Sequence, residues 1–205
     1  MMEVIRDISQ GSDEWFQLRV GSVGASSVSK IITSTGKRSS QRKAYLYTLA
    51  GEILTGKKTE SYSNQFMKDG IEREPQTRME FQLETFKVVE EVAVIFPDGR
   101  PGYHVSPDGL IVGEESGLEL KSVIPATQVK YLDKGVLPTE YKLQVQMSLF
   151  VSGFETWWFC SFCPGLDIFV LEVQRDEILI ATIKKELKLF CTELNELVAK
   201  LGKTA

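Results

Sequence analysis

Apolar positions change period along the chain, and the changes divide it into elements. Ile180, Ile183, Leu187, Phe190, Leu194, Leu197 and Leu201 recur in alternating steps of three and four, which predicts a closing helix from about Asp176 to Leu201. Such a stripe could zip onto a coiled-coil partner; packing against the chain's own sheet is the commoner use and the expectation here. Runs rich in β-branched and aromatic residues predict strands at Val88 to Phe96, Tyr103 to Val112, Gly117 to Ile124, Thr156 to Cys163 and Asp167 to Gln174. Pro97-Asp98-Gly99-Arg100-Pro101-Gly102 marks the turn between the first two. Helical patterns cover Ala25 to Ile32, Ser39 to Leu54 and Thr139 to Val151, and another, Gln65 to Thr85, is interrupted or restarted at Pro75. Gly, Ser and Thr punctuate loops at Thr33 to Lys37 and Thr55 to Ser63. Helices, three strands, a helix, two strands and a helix in that order imply an α/β fold with a mixed central sheet flanked by helices.

The 205 residues fit a single domain, with a helical N-terminal lobe over about 1–86 and a sheet with helices over about 87–205. No apolar run approaches the ~20 residues needed to span a bilayer. Met1 to Trp15 lacks the apolar core of a signal peptide, so a cytoplasmic location is expected, with no membrane partner. The net charge of −4 does not suit a protein that coats nucleic acid. Its distribution is uneven: Lys30, Lys37, Arg38, Arg42, Lys43, Lys57, Lys58 and Lys68 are opposed only by Glu52 and Glu60 in that stretch. Such a lobe suits a local grip on DNA and equally suits an ordinary solvated helix. The cysteines are Cys160, Cys163 and Cys191, an odd count that argues against a disulfide framework. Cys160 and Cys163 lie on a predicted strand, where an odd separation points them to opposite faces. With His104 as the single histidine, they read as core residues rather than metal ligands.

The chemistry concentrates at Ser106-Pro107-Asp108-Gly109, followed by Glu119-Leu120-Lys121. Glu119 and Lys121 are spaced i, i+2, which puts both on one face of a strand. Asp-Gly is a common turn, and Glu-x-Lys is often a solvated face. Here, however, Leu118, Leu120 and Val123 make the strand apolar, and buried charges need partners or a metal. Two carboxylates converging beside a lysine suit metal-assisted phosphodiester hydrolysis, with the carboxylates holding the ion and the lysine stabilising developing negative charge.

Four blocks of polar signature then resemble one family, the phage lambda-type alkaline exonucleases, viral recombinase nucleases of the PD-(D/E)xK superfamily. They are Asp13-Glu-Trp-Phe-Gln-Leu-Arg19-Val-Gly-Ser-Val-Gly-Ala-Ser26, Gly70-Ile-Glu-Arg-Glu74-Pro-Gln-Thr-Arg78, Ser106-Pro-Asp108-Gly-Leu with Gly117-Leu-Glu119-Leu-Lys121, and Gln144-Val-Gln146-Met-Ser148. The resemblance implies a restriction-endonuclease-like core. It implies that Asp108, Glu119 and the Leu120 carbonyl hold metal and that Lys121 is catalytic. The metal would be a pair of divalent ions, usually Mg²⁺, with Mn²⁺ able to substitute. Glu74 corresponds to an acidic residue that reaches this cluster; Glu72 competes for the role, and the four-residue step to Arg78 favours Glu74. On its own, Glu74 would read as a carboxylate at a helix start beside Pro75. Gln144 corresponds to a residue near the scissile phosphate, although a glutamine on an amphipathic helix is more often plain surface. It shares a face with Tyr141 and Ser148, while Gln146 points elsewhere.

Arg19 and Ser26 correspond to a pocket for the terminal 5′-phosphate, and Ser106 to a further DNA contact. Ser26 could instead be an N-cap, and Arg19 a surface partner of Asp13 or Glu14. Trp15 and Phe16 read more readily as core than as base-stacking residues. The activity so implied is digestion of one strand of linear double-stranded DNA from its 5′ end, leaving a 3′ overhang. The resemblance further implies a homotrimeric ring around the duplex, a single-strand annealing protein as partner, and work in the cytoplasm of a bacterial host. A PD-(D/E)xK endonuclease and a non-catalytic DNA-end-binding scaffold are the competing readings.

Overall fold

The computed structural model describes residues 2–59 and 65–202, with side chains described from residue 72 onward in the second stretch. Glu3–Ile5 form β1. Ser12 then caps α1 (Asp13–Leu18) by accepting the Trp15 N–H at 3.2 Å, with Asp13 and Glu14 in the first turn, where the helix dipole favours carboxylates. β2 (Val23–Gly24) leads into a 3₁₀ helix, Ala25–Lys30, followed by α2 (Arg42–Thr55) and α3 (Gln65–Thr85). α3 continues through Pro75, which removes one backbone hydrogen bond from its interior. Beyond the proline, Thr77, Arg78 and Phe81 are all buried, and that packing holds the helix on its course.

The run expected as one strand from Val88 to Phe96 is two, β3 (Val89–Glu90) and β4 (Val94–Phe96); that from Tyr103 to Val112 is likewise β5 (Tyr103–His104) and β6 (Gly109–Ile111). Partners separate the halves. β3 and β6 pair in the main sheet, β4 pairs with β1, and β5 pairs with β2. β7 (Ser116–Ser122) is followed by α4 (Pro125–Lys134), which the hydrophobic pattern does not announce, and then by α5 (Thr139–Ser152). α4 nonetheless carries the usual signals, proline at its first turn and Gly135 in the left-handed conformation past its end. β8 (Thr156–Phe162), β9 (Phe169–Gln174) and α6 (Glu177–Gly202) complete the described chain.

The main sheet has five strands in the order β3-β6-β7-β8-β9. Only β7 and β8 run parallel, which requires a crossover, and α4 and α5 supply it. A Cβ on Gly117 would lie 2.3 Å from the Trp157 ring on the facing strand, so the glycine makes room for that fully buried tryptophan.

Leu118 and Leu120 face Phe81 of α3 and Cys160, so by strand alternation Glu119 and Lys121 face away from α3. The stripe of α6 packs on helices α2 and α5 rather than on the sheet, as Tyr45 stacked on Phe190 at 5.7 Å illustrates. Ile183, Leu187 and Phe190 are thereby buried within the chain. The basic N-terminal stretch is partly neutralised in the same interface, Arg38 by Glu186 and Arg42 by Glu193. Cys160, Cys163 and Cys191 are buried free thiols. Among the described residues no helix is long and apolar enough to cross a membrane.

Candidate active site

The hairpin of β6 and β7 builds the centre of the site. The Asp108 N–H donates to the Leu118 carbonyl at 3.0 Å, and the Asp108 carboxylate accepts the Leu120 N–H at 2.6 Å. Asp108 is therefore pinned to β7 through both backbone and side chain. Glu119, 2% exposed, is ion-paired with Lys121 and accepts a hydrogen bond from Gln144 Nε2 at 2.6 Å. The Lys121 ammonium lies 5.3 Å from the centre of the Tyr141 ring. From α3, Arg78 donates to Glu74 at 2.7 Å and to the Asp108 carbonyl at 3.2 Å, and it also pairs with Glu91 at 2.7 Å.

Charge at this centre is incompletely balanced. Burial, with Asp108 nearby, pushes the Glu74 carboxyl up to about 7 against the pull of Arg78. Burial likewise raises Glu119 to about 7, with Lys121 opposing and Asp108 adding to the rise. Burial raises Asp108 too, against Lys121, the Leu120 amide and Arg78. For Lys121, burial disfavours the charge, but Glu119 and Asp108 outweigh it and raise the pKa above the ordinary lysine value. A cluster of carboxylates that resists ionisation in spite of adjacent cations has room for more positive charge.

Asp108, Glu119 and the Leu120 carbonyl offer hard oxygen donors on adjoining strands. Among the described residues no three His, Cys, Asp or Glu side chains can hold an ion unaided. Mg²⁺ is commonly bound through one or two carboxylates while keeping several waters and phosphate oxygens, so this donor set fits it. Glu74 and not Glu72 meets the cluster, because Asp108 and Lys121 act on it electrostatically while Glu72 is exposed. The i, i+4 step to Arg78 is the sequence signal for that choice.

Arg19 and Ser26 are carried by other elements, the end of α1 and the 3₁₀ helix, of which the latter packs on α5. Arg19, at the C-cap of α1, stacks its guanidinium on the Trp15 ring at 3.7 Å and donates through Nε to His104 Nε2 at 3.0 Å. Its partners are thus neither Asp13 nor Glu14. Trp15 packs partly into a core cluster and donates to the Ala93 carbonyl at 3.0 Å. Ser26 is exposed in the 3₁₀ helix, whose N-cap is Gly24 with no side-chain cap, so neither Ser26 nor Ser27 caps it.

The segment from His104 to Asp108 joins the two regions. It is clamped where Gln10 Nε2 donates to the Pro107 carbonyl at 2.7 Å and to Val92 at 2.8 Å. Within it, Ser106 Oγ is buried without a partner among the described residues.

Glu52, Arg78, His104 and Tyr141 were not readable as site residues. Glu52 is one of two acids in a basic stretch of sequence, yet it is 2% exposed and accepts from the Gly21 N–H at 2.9 Å and from Lys58 at 2.8 Å. Lys58 also reaches the Arg19 carbonyl at 3.4 Å.

Comparison with known proteins converges on one group. The profile of the YqaJ-like viral recombinase domain matches residues 14–155, a span holding every residue of both regions. The crystal structure of LHK-Exo, an alkaline exonuclease from Laribacter hongkongensis, is similar with a TM-score of 0.84 and 30% identity, covering 94% of this chain and 97% of that one. LHK-Exo in complex with dAMP is similar at the same TM-score of 0.84 and 31% identity, with the same coverage of 94% and 97%. A phage-related exonuclease from Haemophilus somnus 129PT, with a TM-score of 0.66 and 15% identity over 91% of this chain and 99% of that one, shares the fold. Among curated protein sequences, none matches.

Proposed function

Since the chain belongs to the YqaJ-like viral recombinase family and matches an alkaline exonuclease over nearly its whole length, we propose that it is a Mg²⁺-dependent exonuclease that digests one strand of linear duplex DNA from the 5′ end. The observation that carries this reading is the connected set of half-buried Asp108, Lys121 and Gln144 around buried Glu119, with Glu74 and Arg78 beside it.

Asp108, Glu119 and the Leu120 carbonyl would hold the divalent ions, Mg²⁺ by preference with Mn²⁺ able to substitute. When bound, the ions neutralise and polarise the scissile phosphate. Lys121 brings a permanent positive charge to the place where negative charge grows, and Glu119 fixes its position. Gln144 is held by Glu119 with its second amide hydrogen and its carbonyl left for a water or a phosphate oxygen. Glu74, with its carboxyl near 7, is suited to take a proton from the attacking water at neutral pH. Arg78 keeps that carboxylate aimed and bonds the Asp108 carbonyl at the same time.

Arg19 and Ser26 are assigned to the terminal 5′-phosphate. A guanidinium offers a fork of donors that matches phosphate, and a phosphate anchor set at a fixed distance from the metal centre makes cleavage depend on a 5′ end. Ser106, between the two regions, is assigned to the DNA strand running from one to the other, where its unpartnered hydroxyl can donate to a phosphate. A homotrimeric ring around the duplex would give processivity by enclosure, which suits a chain of net charge −4 because only the channel wall need be basic. The 3′ overhang left behind is the substrate of a single-strand annealing protein, the partner in recombination, and the work belongs in the cytoplasm of a bacterial host.

Digestion of linear and covalently closed circular duplex, each with Mg²⁺, tests the end dependence. The linear form should be consumed and the circle left intact. Nicking of the circle would make the protein an endonuclease, and survival of a linear duplex that the protein still binds would make it an end-binding scaffold.

A further inference from the structure

Arg19, His104 and Ser22 form a chain of hydrogen bonds whose directions the chemistry fixes. The Arg19 Nε–H donates to His104 Nε2 at 3.0 Å, and His104 Nδ1 lies 2.8 Å from Ser22 Oγ. A guanidinium has donors only, so His104 Nε2 is the unprotonated nitrogen. A neutral imidazole then carries its proton on Nδ1 and donates it to Ser22 Oγ. His104 is 1% exposed, so bulk water does not compete for either nitrogen.

Strand pairing sets the ring from behind, with His104 opposite Gly24 in the pairing of β2 and β5. A Cβ on Gly24 would stand 3.2 Å from His104 Nε2 and 3.6 Å from Arg19 Nη2, so the glycine lets the pair close against the backbone. The Trp15 ring holds the guanidinium at 3.7 Å. Stacking and the Nε bond together fix its plane and leave the edge with the two terminal amino groups as the phosphate-binding fork.

We propose that His104 is a positioning residue that holds the Arg19 guanidinium ready for the terminal 5′-phosphate, with Ser22 fixing the tautomer that lets it do so. This rests on the reading of Arg19 given above. Burial, with Arg19 and Lys58 nearby, holds the His104 pKa well below the ordinary histidine value, so the ring remains neutral. A protonated ring would have no acceptor to offer.

His104 is the single histidine of the chain, so ¹⁵N spectroscopy reads its tautomer without ambiguity. A neutral ring protonated on Nδ1 is expected, and a ring protonated on Nε2 overturns the proposal. The functional arm compares binding of linear duplexes with 5′-phosphate and 5′-hydroxyl ends in EDTA, where nothing is digested. His104→Leu should lower the preference for the phosphorylated end by about tenfold, the order expected when a hydrogen bond to a charged group is lost. Ser22→Ala should lower it less, and His104→Gln, whose amide oxygen can accept from Arg19, should restore most of it.

Equal weakening for both ends in the His104→Leu and Ser22→Ala proteins would mean a structural role alone and overturns the proposal. If His104→Leu does not fold, Ser22→Ala gives the same comparison with the ring in place. Arg19→Ala separates the two claims. Full preference retained there removes the reading of Arg19 itself. Preference lost there but kept in the His104 and Ser22 variants removes only the role of His104.

Discussion

The Asp108 carboxylate accepts the Leu120 backbone N–H at 2.6 Å, so the side chain assigned to metal is locked to the strand that carries Glu119 and Lys121. Asp108→Asn can keep this hydrogen bond while losing the charge, which separates architecture from chemistry. Mg²⁺-dependent cleavage should fall by several kcal/mol in the barrier, on the order of 10²–10⁴ in rate. The same substitution removes a buried charge that Glu74 and Glu119 both oppose, so the melting temperature in EDTA should rise. Its increase on adding Mg²⁺ should shrink. A wild-type Mg²⁺ increment in this variant, read by thermal melting, would remove Asp108 from the metal site.

Lys121→Ala should reduce cleavage by about 10²–10³, the range for loss of one preorganised electrostatic group, while duplex binding survives. Single-turnover digestion together with a gel-shift assay checks both. Loss of folding instead would mark Lys121 as the structural partner of Glu119.

Gln144 and Gln146 should behave oppositely although both lie on α5. Gln146 is 2% exposed, donates to the Gln174 carbonyl at 2.8 Å and accepts the Asp176 N–H at 2.8 Å, which ties β9 to the start of α6. Gln146→Ala should cost about 1 kcal/mol of stability by removing two part-buried hydrogen bonds to the backbone, with turnover kept below the melting transition. Gln144→Ala should lower kcat and leave the melting temperature nearly unchanged. Denaturation curves and initial rates on the pair decide it, and an exchange of the two effects would undo the assignment.

These contrasts show which features the sequence carries openly. Long elements were legible because a single period governs them: the α6 stripe, the aromatic run of β8, and the i, i+2 placement of Glu119 and Lys121. Short strands were not. β1, β2 and β5 have two or three residues each and exist because partners distant in sequence pair with them. That is also why the runs at Val88 and Tyr103 each looked like one strand. α4 escaped notice because only Gln128 and Tyr131 are buried in it, too few to set a period. In the site, the residues assigned to metal or phosphate follow from the motifs that carry the family resemblance, whereas the groups that support them, Arg78, His104 and Glu52, take their places only once the fold brings them in.

The pH dependence of stability follows from two carboxyls. Glu74 and Glu119 sit at about 7 in the fold against an ordinary value of 4.5, chiefly through burial. The unfolded chain therefore releases these protons from about pH 4.5 upward, while the fold keeps them until about pH 7. Their contribution to stability is present in acid and is lost as the pH rises through that window. In EDTA, Glu74→Gln should flatten part of this decline. On the proposed reading Mg²⁺ would bind the ionised carboxylates, so its stabilising increment should grow up to about pH 7 and level off above. Melting curves with and without Mg²⁺ across the window test this, and an increment independent of pH would contradict it.

The most direct measurement is digestion of a linear duplex with a 5′-phosphate on one strand only and a separate label at each 3′ end, with Mg²⁺ or with EDTA. Loss of the phosphorylated strand in Mg²⁺ alone, with its complement intact, is the expected result, and it would establish reaction, polarity and phosphate anchor together. Survival of both strands in Mg²⁺, while the protein still shifts the duplex on a gel, would contradict the proposed activity.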